Sequence, residues 1–163
     1  MNWFNIIKID LGAFEDSAYR EIAEELSTEE VKVIPTKSGN YKAEVMIAGQ
    51  KIITPTRNRM EIHSKIQSLD RFIKFYKRFY EEYRSIITKV EVWTGGWEPI
   101  VRYRFDDLDS NPHVKIQLMS GNPQVRFYDK AGNWWEKGYK VSNEGDWDKI
   151  VGQMVKWRRE NVV

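Results

Sequence analysis

The sequence predicts an α+β fold: an N-terminal helix with a small antiparallel hairpin sheet, a long central helix, and an antiparallel β-meander of four to five strands closed by a C-terminal helix. Three observations carry this. Apolar residues recur at spacings of three and four from Ile62 to Ile87. The period then switches to two, with Val90 and Val92, then Val101, Tyr103 and Phe105, then Val114, Ile116 and Leu118, then Val125 and Phe127. Turn chemistry separates these runs at Thr94-Gly95-Gly96, Asp106 to Pro112 and Ser120-Gly121-Asn122-Pro123.

Along the chain, the start holds Trp3, Phe4, Ile6 and Ile7 but is broken by Asn5, Lys8 and Asp10. It lacks the pattern of a secretory signal and the basic face of an interfacial anchor, so docking on the protein body is expected. Residues 14–26 place Phe14, Ala18, Ile22, Ala23 and Leu26 at helical spacing, with Glu15, Asp16, Glu21, Glu24 and Glu25 outward. Ser27-Thr28-Glu29-Glu30 ends that helix, and Val31 to Ile34 reads as a strand stopped by Pro35. Tyr41 to Ala48 and Lys51 to Thr54 form a hairpin around Gly49-Gln50, where a leading glycine points to a type II′ turn.

The long helix carries one stripe of Ile62, Ile66, Leu69, Ile73, Tyr76, Tyr80, Tyr83 and Ile87. Phe72, Phe75, Phe79 and Ile86 widen it. So broad and aromatic a face suits a helix lying across a sheet better than a dimer seam. After the meander, Asp129-Lys130-Ala131-Gly132-Asn133 turns into a fifth strand from Trp134 to about Val141. Asp146 to Glu160 is a final helix with Trp147, Ile150, Val151, Met154 and Val155 inward, and Lys156, Arg158 and Arg159 at its C-terminal end. The expectation is one compact unit over 1–163, softly divided into 1–87 and 88–163.

Helix, three strands and helix, with Asn40 to Ile52 as the middle hairpin, form an order that resembles the double-stranded-RNA-binding domain over residues 14–87. That resemblance implies a grip on a duplex by the first helix, a loop and a basic start to the second helix. Here Glu61-Ile62-His63-Ser64-Lys65 replaces the family's Lys-Lys pair, and Thr54-Pro55-Thr56-Arg57-Asn58-Arg59 replaces its Gly-rich approach. The first helix is acidic and repels phosphates. The likeness is one of order, so function is sought in a site.

The chain has 163 residues, 41% hydrophobic and 31% charged, which suits a folded globule. Zero cysteine excludes a disulfide scaffold, a thiolate metal site and a thiol nucleophile. No window approaches the roughly 20 apolar residues that span a bilayer, so no membrane partner is expected and the location expected is intracellular, in the cytoplasm or in a viral or host assembly. The net charge of +2 sums unlike parts: 2 cations and 8 anions over 1–30, 12 and 5 over 31–87, 12 and 11 over 88–163.

Enzyme signatures are absent. His63 and His113 are the two histidines, and there is no Gly-x-Ser-x-Gly elbow, Walker loop, Rossmann glycine pattern or His-Glu-x-x-His. Asp107, Asp109 and Asn111 echo the opening of a calcium loop, but Pro112 and Leu118 stand where glycine and a bidentate glutamate belong. A solvated turn is the favoured reading of that loop. A metal-dependent hydrolase on Asp106, Asp107, Asp109 and His113 is the third alternative, and no cofactor is expected.

The meander's outward set is more informative. If the alternating apolar residues face the core, Lys89, Glu91, Trp93, Ile100, Arg102, Arg104, Lys115, Gln117, Met119, Gln124, Arg126 and Tyr128 face out. Cations with aromatic platforms suit single-stranded nucleic acid, and Trp93, Trp97, Trp134 and Trp135 lie where platforms could stand. The leading expectation is therefore a non-enzymatic binding module for single-stranded nucleic acid, using Lys89, Trp93, Trp97, Arg102, Arg104, Lys115 and Arg126, with Arg57, Arg59 and Lys65 as an extension. The alternative is a structural or interaction subunit that meets protein, or itself, through the same aromatic surface or the long helix.

Overall fold

In the computed structural model, which describes residues 18–37, 39–95, 98–105, 112–119, 121–135, 139–140 and 144–162, the chain enters a helix, α1, over 18–26. Ala23 is buried and Glu21, Glu24 and Glu25 are exposed, so the acidic outer face is present. Two hydroxyls build the corner that follows. Ser27 Oγ donates to the Ala23 carbonyl at 2.8 Å and accepts from Val33 N–H at 2.9 Å. Thr28 Oγ1 accepts from Val31 N–H and donates to Asp70 Oδ1 at 2.7 Å. The expected apolar start at Trp3, Phe4, Ile6 and Ile7 lies outside the described residues, as does the first turn of the expected helix, 14–17.

Strands β1 (Val31–Pro35), β2 (Tyr41–Ile47) and β3 (Gln50–Ile53) form an antiparallel sheet in that order. Alternation sends Val31, Val33, Tyr41, Ala43, Val45, Ile47 and Ile52 into the core. The β2–β3 turn differs from the expected type II′ turn at Gly49-Gln50. The register Ile47↔Gln50 makes Ala48-Gly49 the loop, with φ of 49° and 79°. Positive φ at both positions is the type I′ pattern, whose twist matches the strands. The Ala48 N–H is held by Tyr76 Oη at 3.0 Å.

The long stripe becomes α2 (Arg59–Tyr83), 25 residues opened by Asn58, whose side chain accepts from Glu61 N–H at 2.9 Å. Ile62, Ile66, Leu69, Phe72, Ile73, Phe75, Phe79 and Tyr83 are buried. Tyr80, expected on the stripe, is 41% exposed, and Ile86 and Ile87 fall in the turn after the helix, half-buried. The inward position goes to Phe79, whose ring lies 4.8 Å from Tyr103.

Strands β4 (Lys89–Gly95), β5 (Glu98–Arg104), β6 (His113–Met119), β7 (Asn122–Tyr128) and β8 (Tyr139–Lys140) make a second antiparallel sheet in sequence order. The long fifth strand expected from Trp134 is broken: Trp134 makes an isolated bridge to Tyr128, and β8 pairs only with Gln124 and Val125. Asp129 explains the break. Its carboxylate accepts from the Ala131 and Asn133 N–H groups, both at 2.9 Å, and folds the chain into a tight turn.

Helix α3 (Glu144–Asn161) closes the fold, with Trp147, Ile150, Met154 and Trp157 buried and Val155, expected inward, exposed. Trp157 packs on Phe105 and Phe127 and donates from Nε1 to the Tyr128 carbonyl at 2.9 Å. Helix α2 contacts both sheets, and buried residues from both join one core cluster. No helix among the described residues is long and apolar enough to cross a membrane.

Ala48 tests the turn. An L-residue at positive φ is strained by about 1–2 kcal/mol, and asparagine tolerates that region. Ala48→Asn is expected to raise stability by about 1 kcal/mol, read as a higher urea midpoint at unchanged slope; a lower midpoint contradicts the type I′ assignment.

Candidate nucleic-acid interface

The inward residues of the second sheet fix its outer face. Val101, Tyr103, Val114, Ile116, Val125 and Phe127 are each 0% exposed, so the alternate residues stand on the opposite side. Strand register then arranges them in rows. Glu91 pairs with Arg102, Arg102 with Lys115, and Lys115 with Arg126. Three cations thus stand side by side on three neighbouring strands, where directly opposed like charges are unfavourable.

Aromatic rings flank this row. The Arg102 guanidinium lies 4.1 Å from the centroid of Trp93, and that of Arg126 lies 4.3 Å from Trp134. Lys115 Nζ is 5.7 Å from the Tyr128 ring. Trp93 is 37% exposed and Trp134 56%. Trp135, one residue on, turns the other way: its ring packs on Phe127 and its Nε1 donates to Glu160.

The row's charge is largely uncompensated. Glu91 is the carboxylate opposite Arg102, but it accepts from Arg104 Nε. Among the described residues, no salt bridge joins a carboxylate to Arg102, Lys115 or Arg126. Arg126 Nε reaches the side-chain oxygen of Gln124 at 3.3 Å, and Arg102 Nε is buried without a hydrogen bond. Burial, then the neighbouring Arg104, pushes the Arg102 pKa below the usual arginine value. Burial opposes ionisation of Glu91, yet the hydrogen bond and charge of Arg104, with Lys89 and Arg102, outweigh it and hold that carboxyl below its usual value.

The sequence-nominated residues therefore separate. Trp93, Arg102, Lys115 and Arg126 converge. Arg104 shares the face, but its charge is matched by Glu91; Lys89 is exposed on the edge strand opposite Arg104. Trp97 lies outside the described residues, as do Asp106, Asp107, Asp109 and Asn111. Arg57 and Lys65 belong to a different place, a cleft of about 470 Å³ with Met60, Glu61 and Gly121, where they pair with Glu61 and Glu98. Arg59, exposed, opens α2 beside them. His63 is exposed beside Gln67. His113 is 7% exposed and stacked on Tyr128 at 4.2 Å. Among the described residues no three His, Asp or Glu side chains gather to hold a metal ion.

Two features escaped the sequence: the seating of guanidiniums on the Trp rings, and the pairing that removes Arg104 from the open charge. Neither has a signal in residue order, because both depend on register. Neither family models, nor curated protein sequences, nor solved structures give a match to this chain.

The Glu91–Arg104 pair carries a pH prediction. A carboxyl whose folded pKa is depressed contributes stability above its unfolded pKa, about 4.3 for glutamate, and that contribution is lost as pH falls through the lower folded value. Wild type is expected to melt above Glu91→Gln at neutral pH, the two Tm curves converging only in acid below the ordinary glutamate range. Parallel curves down to strong acid contradict the pairing.

Proposed function

We propose that the outer face of the second sheet binds single-stranded nucleic acid, and that the protein is a binding module acting through this surface. The observation that carries the reading is the in-register row Arg102, Lys115 and Arg126 between Trp93 and Trp134. Opposed cations lower fold stability unless an anion neutralises them, and the phosphates of a single strand supply several negative charges in a line. The rings add a sequence-tolerant surface for bases. A protein contact through the same rings is less well supported, because a guanidinium lies over each ring and a row of cations with no carboxylate partner among the described residues stands between them, whereas protein interface cores are depleted of charge.

The test is salt-dependent binding of fluorescent oligothymidylate. Arg102→Glu with Arg126→Glu is expected to weaken binding at least about tenfold at low salt and to lower the slope of log affinity against log salt by about 2. Lys149→Glu, on α3 away from the face, is the charge control. Unchanged binding in the double variant contradicts the proposal.

A further inference from the structure

The face has a direction as well as a charge. Trp93 stands in register with Ile100, which pairs with Gln117, which pairs with Gln124. Trp134 bridges Tyr128, which pairs with His113, which pairs with Arg104. The cation row lies between these two rows, two residues from each along the strands. The exposed tryptophans therefore occupy opposite corners of the face. Lys115 sits at the middle of the diagonal, with Arg102 leaning to one ring and Arg126 to the other. Four strand steps of about 4.8 Å and about 13 Å along the strands separate the corners by roughly 23 Å.

Resting on the reading above, we infer that a single strand of about four nucleotides, the low end for such sites, follows this diagonal from Trp93 to Trp134. One base stacks on each tryptophan and Lys115 holds a central phosphate. Arg102 and Arg126 pass from the rings to the flanking phosphates. The exchange is favourable in kind: base stacking on tryptophan is stronger than an exposed guanidinium–ring contact, and each cation gains a charged partner. Until then the guanidiniums hold the partly exposed rings in place. A duplex cannot use this path, because its bases are stacked on one another and offer no free face. Trp134 thereby becomes a binding residue, placed by the Asp129 turn.

The experiment titrates wild type, Trp93→Ala and Trp134→Ala with oligothymidylates of about 2 to 10 nucleotides, with a duplex for comparison, by anisotropy at several salt concentrations. Wild-type affinity is expected to climb steeply to about four nucleotides and then level, and to exceed affinity for the duplex. Each alanine variant is expected to lose about 5- to 150-fold on the longer strands with an unchanged salt slope, and Trp134→Phe to restore part of it. Wild-type affinity in both alanine variants overturns the diagonal path and leaves the charge-based reading standing; a preference for duplex overturns the path and the single-strand reading with it. Failure to bind any oligonucleotide overturns that reading itself.

Discussion

The breadth of the apolar face on α2 is the constraint from which the rest follows. A narrow stripe could serve one sheet; rows led by Ile62, Ile66 and Ile73 and by Phe72, Phe75 and Phe79 serve two. Each sheet turns its apolar alternate residues toward the core that contains this helix. Tyr103, wholly buried, locks the second sheet to it by donating from Oη to the Tyr76 carbonyl at 2.9 Å. Because side chains alternate across a strand, fixing the inner set leaves no freedom in the outer one.

That outer set is where fold stability and the proposed function pull apart. Packing would be served by opposite charges or by threonine and β-branched pairs across strands, each worth about 0.2–1 kcal/mol over alanine. The sheet instead opposes Arg102 to Lys115 and Lys115 to Arg126. Trp93, Trp134 and Tyr128 offset part of the repulsion by taking the cations onto their π faces. The pair Glu91–Arg104 removes one further positive charge from the same surface. What remains is a short line of cations with rings at its ends, held on strands rather than on mobile loops.

How far the sequence discloses this depends on which distances matter. Periodicity is local, so the helices, the meander and the inward identity of Val101, Val114 or Phe127 are readable from neighbours in the chain. Register is not local. Sliding a strand by two residues keeps every face correct, so alternation alone says that Arg102 and Arg104 face outward but not which of them meets Glu91. The β2–β3 turn shows the same limit: Ala48-Gly49 and Gly49-Gln50 both preserve the buried Ile47 and Ile52, and the Tyr76 hydroxyl, 28 residues away, helps hold the observed one. The strand expected from Trp134 is cut short because the carboxylate of Asp129, closing a turn onto Asn133, outweighs the β-propensity of Trp134 and Trp135.

If the cation row is maintained for an anionic ligand against the preference of the fold, Lys115→Glu separates the two demands in one protein. A carboxylate between Arg102 and Arg126 turns two opposed like-charge pairs into two attractive ones, each worth about 0.2–1 kcal/mol. Thermal melting together with oligothymidylate binding is the direct measurement. The account predicts a variant that melts higher and binds at least about tenfold more weakly. A variant that melts lower, or one that is stabilised and binds as tightly as wild type, contradicts it.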